Sequence, residues 1–151
     1  MLKRLFDITV SFAGLVVLSP LLLAIAIMIR LDSNGPVFFR GERVGRFGKP
    51  FTIYKFRTMV VNADKLGDAS TPADDPRMTK IGKLLRNKYQ LDELPQLINV
   101  FKGEMSLVGP RPQIPWAVEL YIQEEKETIL SVRPGMTDYA SVRFPNEGEI
   151  L

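Results

Sequence analysis

Residues 8–29 read ITVSFAGLVVLSPLLLAIAIMI, a run of 22 positions without a charged side chain. As a helix rising about 1.5 Å per residue, the run would be roughly 33 Å long, enough to cross a bilayer core of about 30 Å. No polar face interrupts it, which disfavours a buried core helix. A signal peptide could be cleaved near Ala24 and Ala26, but the apolar run continues beyond them. We therefore expect a membrane helix.

Two features of this run predict that it does not cross the membrane. Pro20 cannot donate a hydrogen bond to the preceding turn and its ring clashes there, so we expect the helix to break at Ser19-Pro20. Lys3 and Arg4 precede the run and five basic residues follow it up to position 49. Because positive charge marks the cytoplasmic side, basic flanks at both ends favour a re-entrant helix over a kinked helix that spans.

The composition restricts the chemistry of the chain, which has 151 residues and neither histidine nor cysteine. Histidine-based nucleophile systems, thiolate catalysis, disulfides and zinc sites of the His or Cys type are therefore excluded. Residues 1–111 carry 17 Lys or Arg and 10 Asp or Glu, whereas residues 112–151 carry 3 and 7. The basic first part suggests an anionic partner such as phosphates, lipid headgroups or nucleic acid.

The remaining sequence predicts a small α+β domain that is mainly helical. Short β-like runs at 37–40 and 51–57, separated by glycines and a proline, predict a hairpin. Helical spacing predicts a helix after Thr79, a second ending at Gly103, and a third over residues 115–130. The expected organisation is a re-entrant membrane helix at 1–32 followed by a cytoplasmic domain at 33–151.

An acidic pair opens the second of these helices, in the sequence Asp92-Glu93-Leu94-Pro95. Pro95 fits only in a first helical turn, which places Asp92 and Glu93 at the helix N-terminus. The helix dipole there favours the ionised carboxylate by roughly 0.3–1 kcal/mol. An ionised carboxylate can attack phosphorus or bind Mg²⁺, although acidic residues at a helix start also serve as ordinary caps.

Four cations are candidates for binding phosphate: Lys55, Arg57, Arg111 and Arg133. Lys55 and Arg57 are two residues apart in a predicted strand and should share a face. Arg111 lies between two prolines and Arg133 precedes Pro-Gly, so both side chains extend from stiff backbone. Arginine forks match phosphate oxygens, although each cation alone is more often a solvated surface charge. No glycine-rich run ends in Lys-Ser or Lys-Thr, so a P-loop is excluded.

Six stretches closely resemble the bacterial sugar transferase family, the monotopic phosphoglycosyl transferases that act on polyprenyl phosphate. They occur in the family's order and cover most of the chain: KRLFD at 3–7, LSP at 18–20, YKFRTM at 54–59, LDELPQL at 91–97, MSLVGPRP at 105–112 and RPG at 133–135. The Ser19-Pro20 motif belongs, in the family, to a re-entrant membrane helix.

The resemblance implies a Mg²⁺-dependent transfer of a phospho-sugar from a UDP-sugar to a polyprenyl phosphate such as undecaprenyl phosphate, the first membrane step of bacterial glycan assembly. Asp92 would be the nucleophile that forms a covalent phosphosugar intermediate, and Glu93 would assist proton transfer, both being metal-ligand candidates. The residues expected to bind substrate are Lys55, Arg57, Arg111, Pro112 and Arg133. The expected location is the cytoplasmic face of the bacterial inner membrane, with membrane lipid as a partner, a homodimer allowed and no nucleic acid.

Two departures from the family pattern affect these expectations. Asp138 stands where the motif after Arg133 usually has a second glycine, so the identity of the sugar stays open. The chain ends at Leu151, earlier than the family usually does, so we expect either a shortened natural member or a truncated form. Because no multi-span region precedes the first helix, the chain resembles the small, catalytic-domain-only class. Two other functions remain alternatives: a membrane-bound interaction module without turnover, and a basic nucleic-acid binder in which basic and aromatic residues alternate.

Overall fold

The first helix of the computed structural model, α1 (Leu2–Asp32), is a continuous 31-residue helix that includes Pro20. The structure describes residues 1–66, 75–86 and 90–138. Within them, α1 is the one helix long and apolar enough to cross a membrane. The expected break at Ser19-Pro20 is wrong at the level of secondary structure. Val16 O, which the Pro20 nitrogen cannot bond, instead accepts a hydrogen bond from Ser19 Oγ at 2.7 Å.

Only a narrow stripe of α1 is buried, and it packs against the rest of the chain. Ile25 and Ile29 form a core cluster with Phe56 and Leu85. A β-carbon on Gly14 would lie 3.2 Å from Leu97 Cδ1, so the middle of the helix also lies close to the domain. The other faces expose apolar side chains along the whole helix: Leu2, Leu5, Phe6, Phe12, Val16, Val17, Leu23, Ile27 and Leu31.

Both ends of α1 are bonded to the same domain. Near the N-terminus, the Arg4 guanidinium donates to the carbonyls of Val100 and Phe101 at 2.6 and 2.8 Å. At the C-terminus, Asp32 Oδ2 accepts a hydrogen bond from the Ile81 backbone nitrogen at 3.1 Å. Both ends of α1 therefore contact the domain, although the helix is roughly 46 Å long at about 1.5 Å per residue.

The predicted hairpin is confirmed as β1 (Phe38–Val44) and β2 (Pro50–Phe56), which pair antiparallel with Phe38 opposite Phe56. A 3-10 turn at Arg46–Gly48 joins the strands. Phe51 and Ile53 on β2 form a second core cluster with Val100 and Met105. The hairpin thus packs one face against the helix that follows the acidic pair.

Two short helices carry the centre of the domain: α2 (Lys80–Arg86) and α3 (Gln96–Lys102). Thr79 Oγ1 accepts the Gly82 backbone N–H at 2.9 Å, as expected of an N-cap. Gly103 ends α3 at φ 90°, the left-handed conformation that glycine adopts without strain. A 3-10 turn at Leu91–Glu93 precedes α3, so the acidic pair lies in that turn and not in the helix itself.

The strand after α3, β3 (Ser106–Val108), pairs in parallel with β4 (Gly135–Thr137) near the end of the described chain. Between these strands the sequence forms two helices, α4 (Pro115–Glu119) and α5 (Gln123–Leu130), where a single helix was expected. Ile122 adopts an extended conformation with φ −65° and ψ 156°, which separates the two helices. Ile122 is 63% exposed, although it would lie on the inward apolar face of a single helix over residues 115–130. The mainly helical α+β class is confirmed for the residues described.

Candidate active site

The hairpin, the 3-10 turn that carries the acidic pair, and the loop after β3 line one open cavity. Its wall contains Lys55 from β2, Glu93 from the 3-10 turn, Gln96 from α3, and Arg111 with Pro112 from the loop. The cavity therefore brings together four of the residues singled out from the sequence, namely Lys55, Glu93, Arg111 and Pro112. Asp138, which replaces the usual glycine, lies on the same wall.

Asp92 directly precedes Glu93, is not itself among the residues that line the cavity, and is 7% exposed. Its Oδ1 atom is fully buried and has no hydrogen-bond partner. Burial raises the pKa of Asp92 to about 6; Lys55 opposes this shift, and the neighbouring Glu93 adds to it. This direction is opposite to the one expected for a carboxylate at a helix start, because burial disfavours the ionised form. Ionising the Asp92 carboxylate therefore costs more free energy in this position than it does in water.

Glu93 is the member of the acidic pair that faces the cavity. Its Oε1 atom lies 2.5 Å from Lys55 Nζ, and both side chains are partly buried. Because Lys55 is fixed on a β-strand, this ion pair sets the position of the Glu93 carboxylate relative to the hairpin. The pair also places a positive charge next to Asp92.

The two arginine–proline motifs meet through their backbones. Ser106 N donates to Pro134 O at 2.9 Å, Gly109 N donates to Thr137 O at 3.0 Å, and Gly135 N donates to Pro110 O at 2.8 Å. A β-carbon on Gly135 would lie 2.1 Å from Gly109 N, so only glycine permits this approach. The parallel pairing holds the loop that carries Arg111 against β4.

Arg57 and Arg133 are not among the residues lining the cavity. Arg57 lies one residue beyond β2, is 6% exposed, and donates to the carbonyls of Ser33 and Asn34 at 2.8 Å. Arg133 Nε donates to Gly103 O at 2.8 Å, at the end of α3. These contacts favour structural roles for both arginines, and their expected binding of substrate stays a prediction.

Arg43 and Gln96 also line the cavity, although neither was predicted from the sequence as a site residue. Gln96 is 2% exposed and follows Glu93 by three positions. Arg43 faces the same side of the hairpin as Lys55, since Arg43 pairs with Phe51 and Lys55 pairs with Phe39. Residues two apart on a strand share a face, which grouped Lys55 with Arg57. The same rule, applied across the hairpin with its register, places Arg43 on that face as well.

A second missed group ties α1 to β3. Asp7 is 3% exposed, and its carboxylate accepts hydrogen bonds from Ser106 Oγ at 2.8 Å and from the Leu107 backbone nitrogen at 3.2 Å. The Lys3 ammonium also donates to Ser106 Oγ. An aspartate within an otherwise apolar helix was the available signal, because a buried carboxylate requires partners.

The fold and the site define a membrane-associated protein with a carboxylate pair beside a cation-lined cavity. The sequence matches the family model described as bacterial sugar transferase over residues 1–150. The chain therefore belongs to the bacterial sugar transferase family.

Curated relatives support this assignment. The chain is 44% identical over 145 residues to the uncharacterized sugar transferase EpsL of Bacillus subtilis, covering 96% of this chain and 70% of EpsL. It is 45% identical over 145 residues to the UDP-glucose:undecaprenyl-phosphate glucose-1-phosphate transferase of Escherichia coli, covering 94% of this chain and 31% of that protein. An Aeromonas hydrophila UDP-N-acetylgalactosamine-undecaprenyl-phosphate N-acetylgalactosaminephosphotransferase is 42% identical, with coverage of 93% and 34%.

Proposed function

We propose that this protein transfers a phospho-sugar from a UDP-sugar to undecaprenyl phosphate. The observation that carries the proposal is the buried, unpartnered carboxylate oxygen of Asp92 beside a cavity that contains Lys55 and Arg111. A destabilised carboxylate next to cations suits nucleophilic attack on a phosphate ester. The names of the relatives supply the two substrate classes, a UDP-sugar and undecaprenyl phosphate.

The reaction proceeds in two displacements at one phosphorus atom. An oxygen of the ionised Asp92 carboxylate attacks the sugar-linked phosphorus, and the bond to the bridging oxygen breaks, releasing UMP with the electron pair. An oxygen of undecaprenyl phosphate then attacks the same phosphorus and displaces the Asp92 carboxylate. The products are UMP and undecaprenyl-diphospho-sugar, and Asp92 is regenerated. One covalent intermediate lets a water-soluble donor and a lipid acceptor use the same site in turn.

Glu93 and Lys55 support these steps from the cavity wall. Glu93 can take the remaining proton from the acceptor phosphate, since its carboxylate faces the cavity. Lys55, at 2.5 Å from Glu93, holds that carboxylate and adds positive charge near the attacked phosphorus. Arg111 supplies a planar guanidinium that matches two phosphate oxygens.

The acidic pair also fits Mg²⁺, which in proteins is usually held by one or two carboxylates together with substrate phosphates and water. Asp92 offers a buried oxygen without a partner, and Glu93 follows it directly. The described residues contain no group of three or more acidic, His or Cys side chains arranged for a metal, so phosphate and water would supply the other ligands. The ion would neutralise charge on the diphosphate.

The position of α1 supports a monotopic attachment at the cytoplasmic face. Arg4 and Asp32 bond opposite ends of the helix to one domain, so a helix crossing the bilayer would have to carry the domain with it. If both ends of α1 lie on the same side of the bilayer, the helix can place its exposed apolar faces in one leaflet. The active site then faces the lipid acceptor and the cytoplasmic donor together.

The test is release of UMP from a panel of UDP-sugars, with undecaprenyl phosphate and Mg²⁺ present. We expect release with at least one sugar, and loss of several orders of magnitude in Asp92→Asn with the fold retained. Without lipid, wild-type protein should gain one phosphosugar mass on the peptide that contains Asp92. Glu93→Gln should lose roughly 10²–10⁴-fold, as is typical of a proton-transfer group. No release with any sugar would contradict the proposal and favour a module without turnover.

A further inference from the structure

Arg43 lies on the cavity wall, yet none of the recognised motifs includes it. It is half-buried on β1, opposite Phe51, while Lys55 on β2 lies opposite Phe39. Residues directly opposite share a face of a hairpin, so Arg43 and Lys55 project from the same face. Their positions are four residues apart along the strands, about 13 Å at about 3.3 Å per residue. The backbone of Arg43 therefore lies further along the hairpin than that of Lys55, on the same face of the strands.

Gly41 lies on β1 between Phe39 and Arg43, and because it has no β-carbon it leaves room for the Arg43 side chain. A β-carbon on Gly41 would lie 3.1 Å from Arg43 Nη1 and 2.8 Å from Phe39 Cε1. The guanidinium therefore occupies space that any larger residue at position 41 would take. This contact directs the charged group along the hairpin towards Lys55.

The guanidinium of Arg43 has no carboxylate partner within the described part of the chain. Nη1 donates to the backbone carbonyl of Glu42 at 2.7 Å, and the four ion pairs of that part include neither Arg43 nor Arg111. Burial and the nearby charge of Arg111 both lower the pKa of Arg43. Two guanidinium groups that share one wall repel each other, and a bound anion would relieve that repulsion.

We propose that Arg43 binds a phosphate group of the substrate together with Arg111, on the cavity wall that also carries Lys55 and Glu93. This assignment rests on the proposed function, which supplies two phosphate esters that could occupy the position. One is the nucleotide-side phosphate of the UDP-sugar, which leaves as UMP. The other is the phosphate of the polyprenyl acceptor. Either would accept hydrogen bonds from both guanidinium groups.

The experiment compares Arg43→Gln and Arg43→Lys with wild type and with Arg40→Gln as a matched control. Arg40 is an exposed arginine of the same strand on the opposite face, beside the ring of Tyr54. Three quantities are measured on the full chain in detergent: the affinity for UMP by calorimetry, the KM for UDP-sugar, and the KM for undecaprenyl phosphate. Melting temperatures check that every variant is folded.

If Arg43 contacts the donor, Arg43→Gln should weaken UMP binding and raise the KM for UDP-sugar by about 10–100-fold, the usual loss for a charged hydrogen bond. Arg43→Lys should recover part of this loss, because it keeps the charge without the planar fork. A rise confined to the KM for undecaprenyl phosphate would support the proposal with the lipid phosphate as ligand.

The proposal is overturned if Arg43→Gln behaves like Arg40→Gln in all three quantities. It is also overturned if Arg43→Gln is unfolded while the folded Arg43→Lys variant shows wild-type values. Absence of UMP release by wild type would instead contradict the proposed function. Binding titrations with UMP and with undecaprenyl phosphate would still decide whether Arg43 binds either phosphate, since binding requires no turnover.

Discussion

Replacing Asp92 by asparagine should stabilise the protein while it removes activity. Burial raises the pKa of Asp92 from 3.8 to about 6, a difference of about 2 units. At ~1.36 kcal/mol per unit, this corresponds to about 3 kcal/mol. The folded state binds the proton more tightly than the unfolded state, so stability falls as the pH rises from about 4 to about 6 and stays lower above it. Asparagine has no proton to lose and avoids this cost.

The assay is the melting temperature of wild type and Asp92→Asn in the same detergent, between pH 4.5 and pH 7.5. The difference between the two proteins should increase with pH in favour of the variant. About 2 of the 3 kcal/mol falls between pH 4.5 and pH 7.5, because the effect begins near pH 4, and this corresponds to roughly 4–8 °C for a domain of this size. Effects of the amide on packing are the same at each pH, so the pH-dependent part isolates the carboxylate.

Asp75→Asn is the matched control. Hydrogen bonds from Arg77 hold the pKa of Asp75 at about 2, below the ordinary 3.8. That carboxylate stabilises the fold above about pH 4, and the contribution is lost only as the pH falls towards 2. Asp75→Asn should therefore be less stable than wild type by an amount that is constant from pH 4.5 to 7.5. A constant difference for Asp92→Asn as well would refute the reasoning that burial dominates at Asp92.

Three further outcomes are expected. Cysteines placed at Leu2 and at Lys49, in a chain that has none, should label equally with an impermeant thiol reagent from the cytoplasmic side; opposite labelling would exclude attachment by one face. Gly135→Ala should destabilise by about 1–3 kcal/mol and reduce activity, because the methyl group would meet Gly109 N, as measured by thermal melting and UMP release. Arg57→Leu should lower the melting temperature and leave the KM for UDP-sugar unchanged. A raised KM would indicate instead that Arg57 binds substrate.

The parts of the fold that local chemistry determines were predictable from the sequence. The hairpin follows from two β-like runs separated by glycines. The cap by Thr79 and the end of α3 at Gly103 follow from side-chain hydrogen bonding and from the left-handed conformation of glycine. The grouping of Lys55 and Glu93 followed from their motifs, although the 2.5 Å ion pair between them did not.

The parts that depend on tertiary contacts were not predictable. The pKa of Asp92 rises because the surrounding chain excludes water, which no local pattern encodes. Arg57 turns towards the chain after α1 because carbonyl groups there need donors. The helix α1 continues across Pro20 while it packs against the domain at Gly14 on one side of the proline and at Ile25 and Ile29 on the other, and local sequence rules do not describe such tertiary contacts.

Ile25 and Ile29 of α1 share a core cluster with Phe56 and Leu85, and this limits how the helix can be changed by engineering or by evolution. In many membrane enzymes the anchor is an interchangeable module that can be trimmed away or replaced by another. Here the helix that faces lipid also supplies half of a core cluster, and its Asp7 holds the strand that leads to Arg111. Deleting residues 1–32 would remove part of the protein's interior together with its long apolar helix, so we expect truncation alone to give a chain that does not fold.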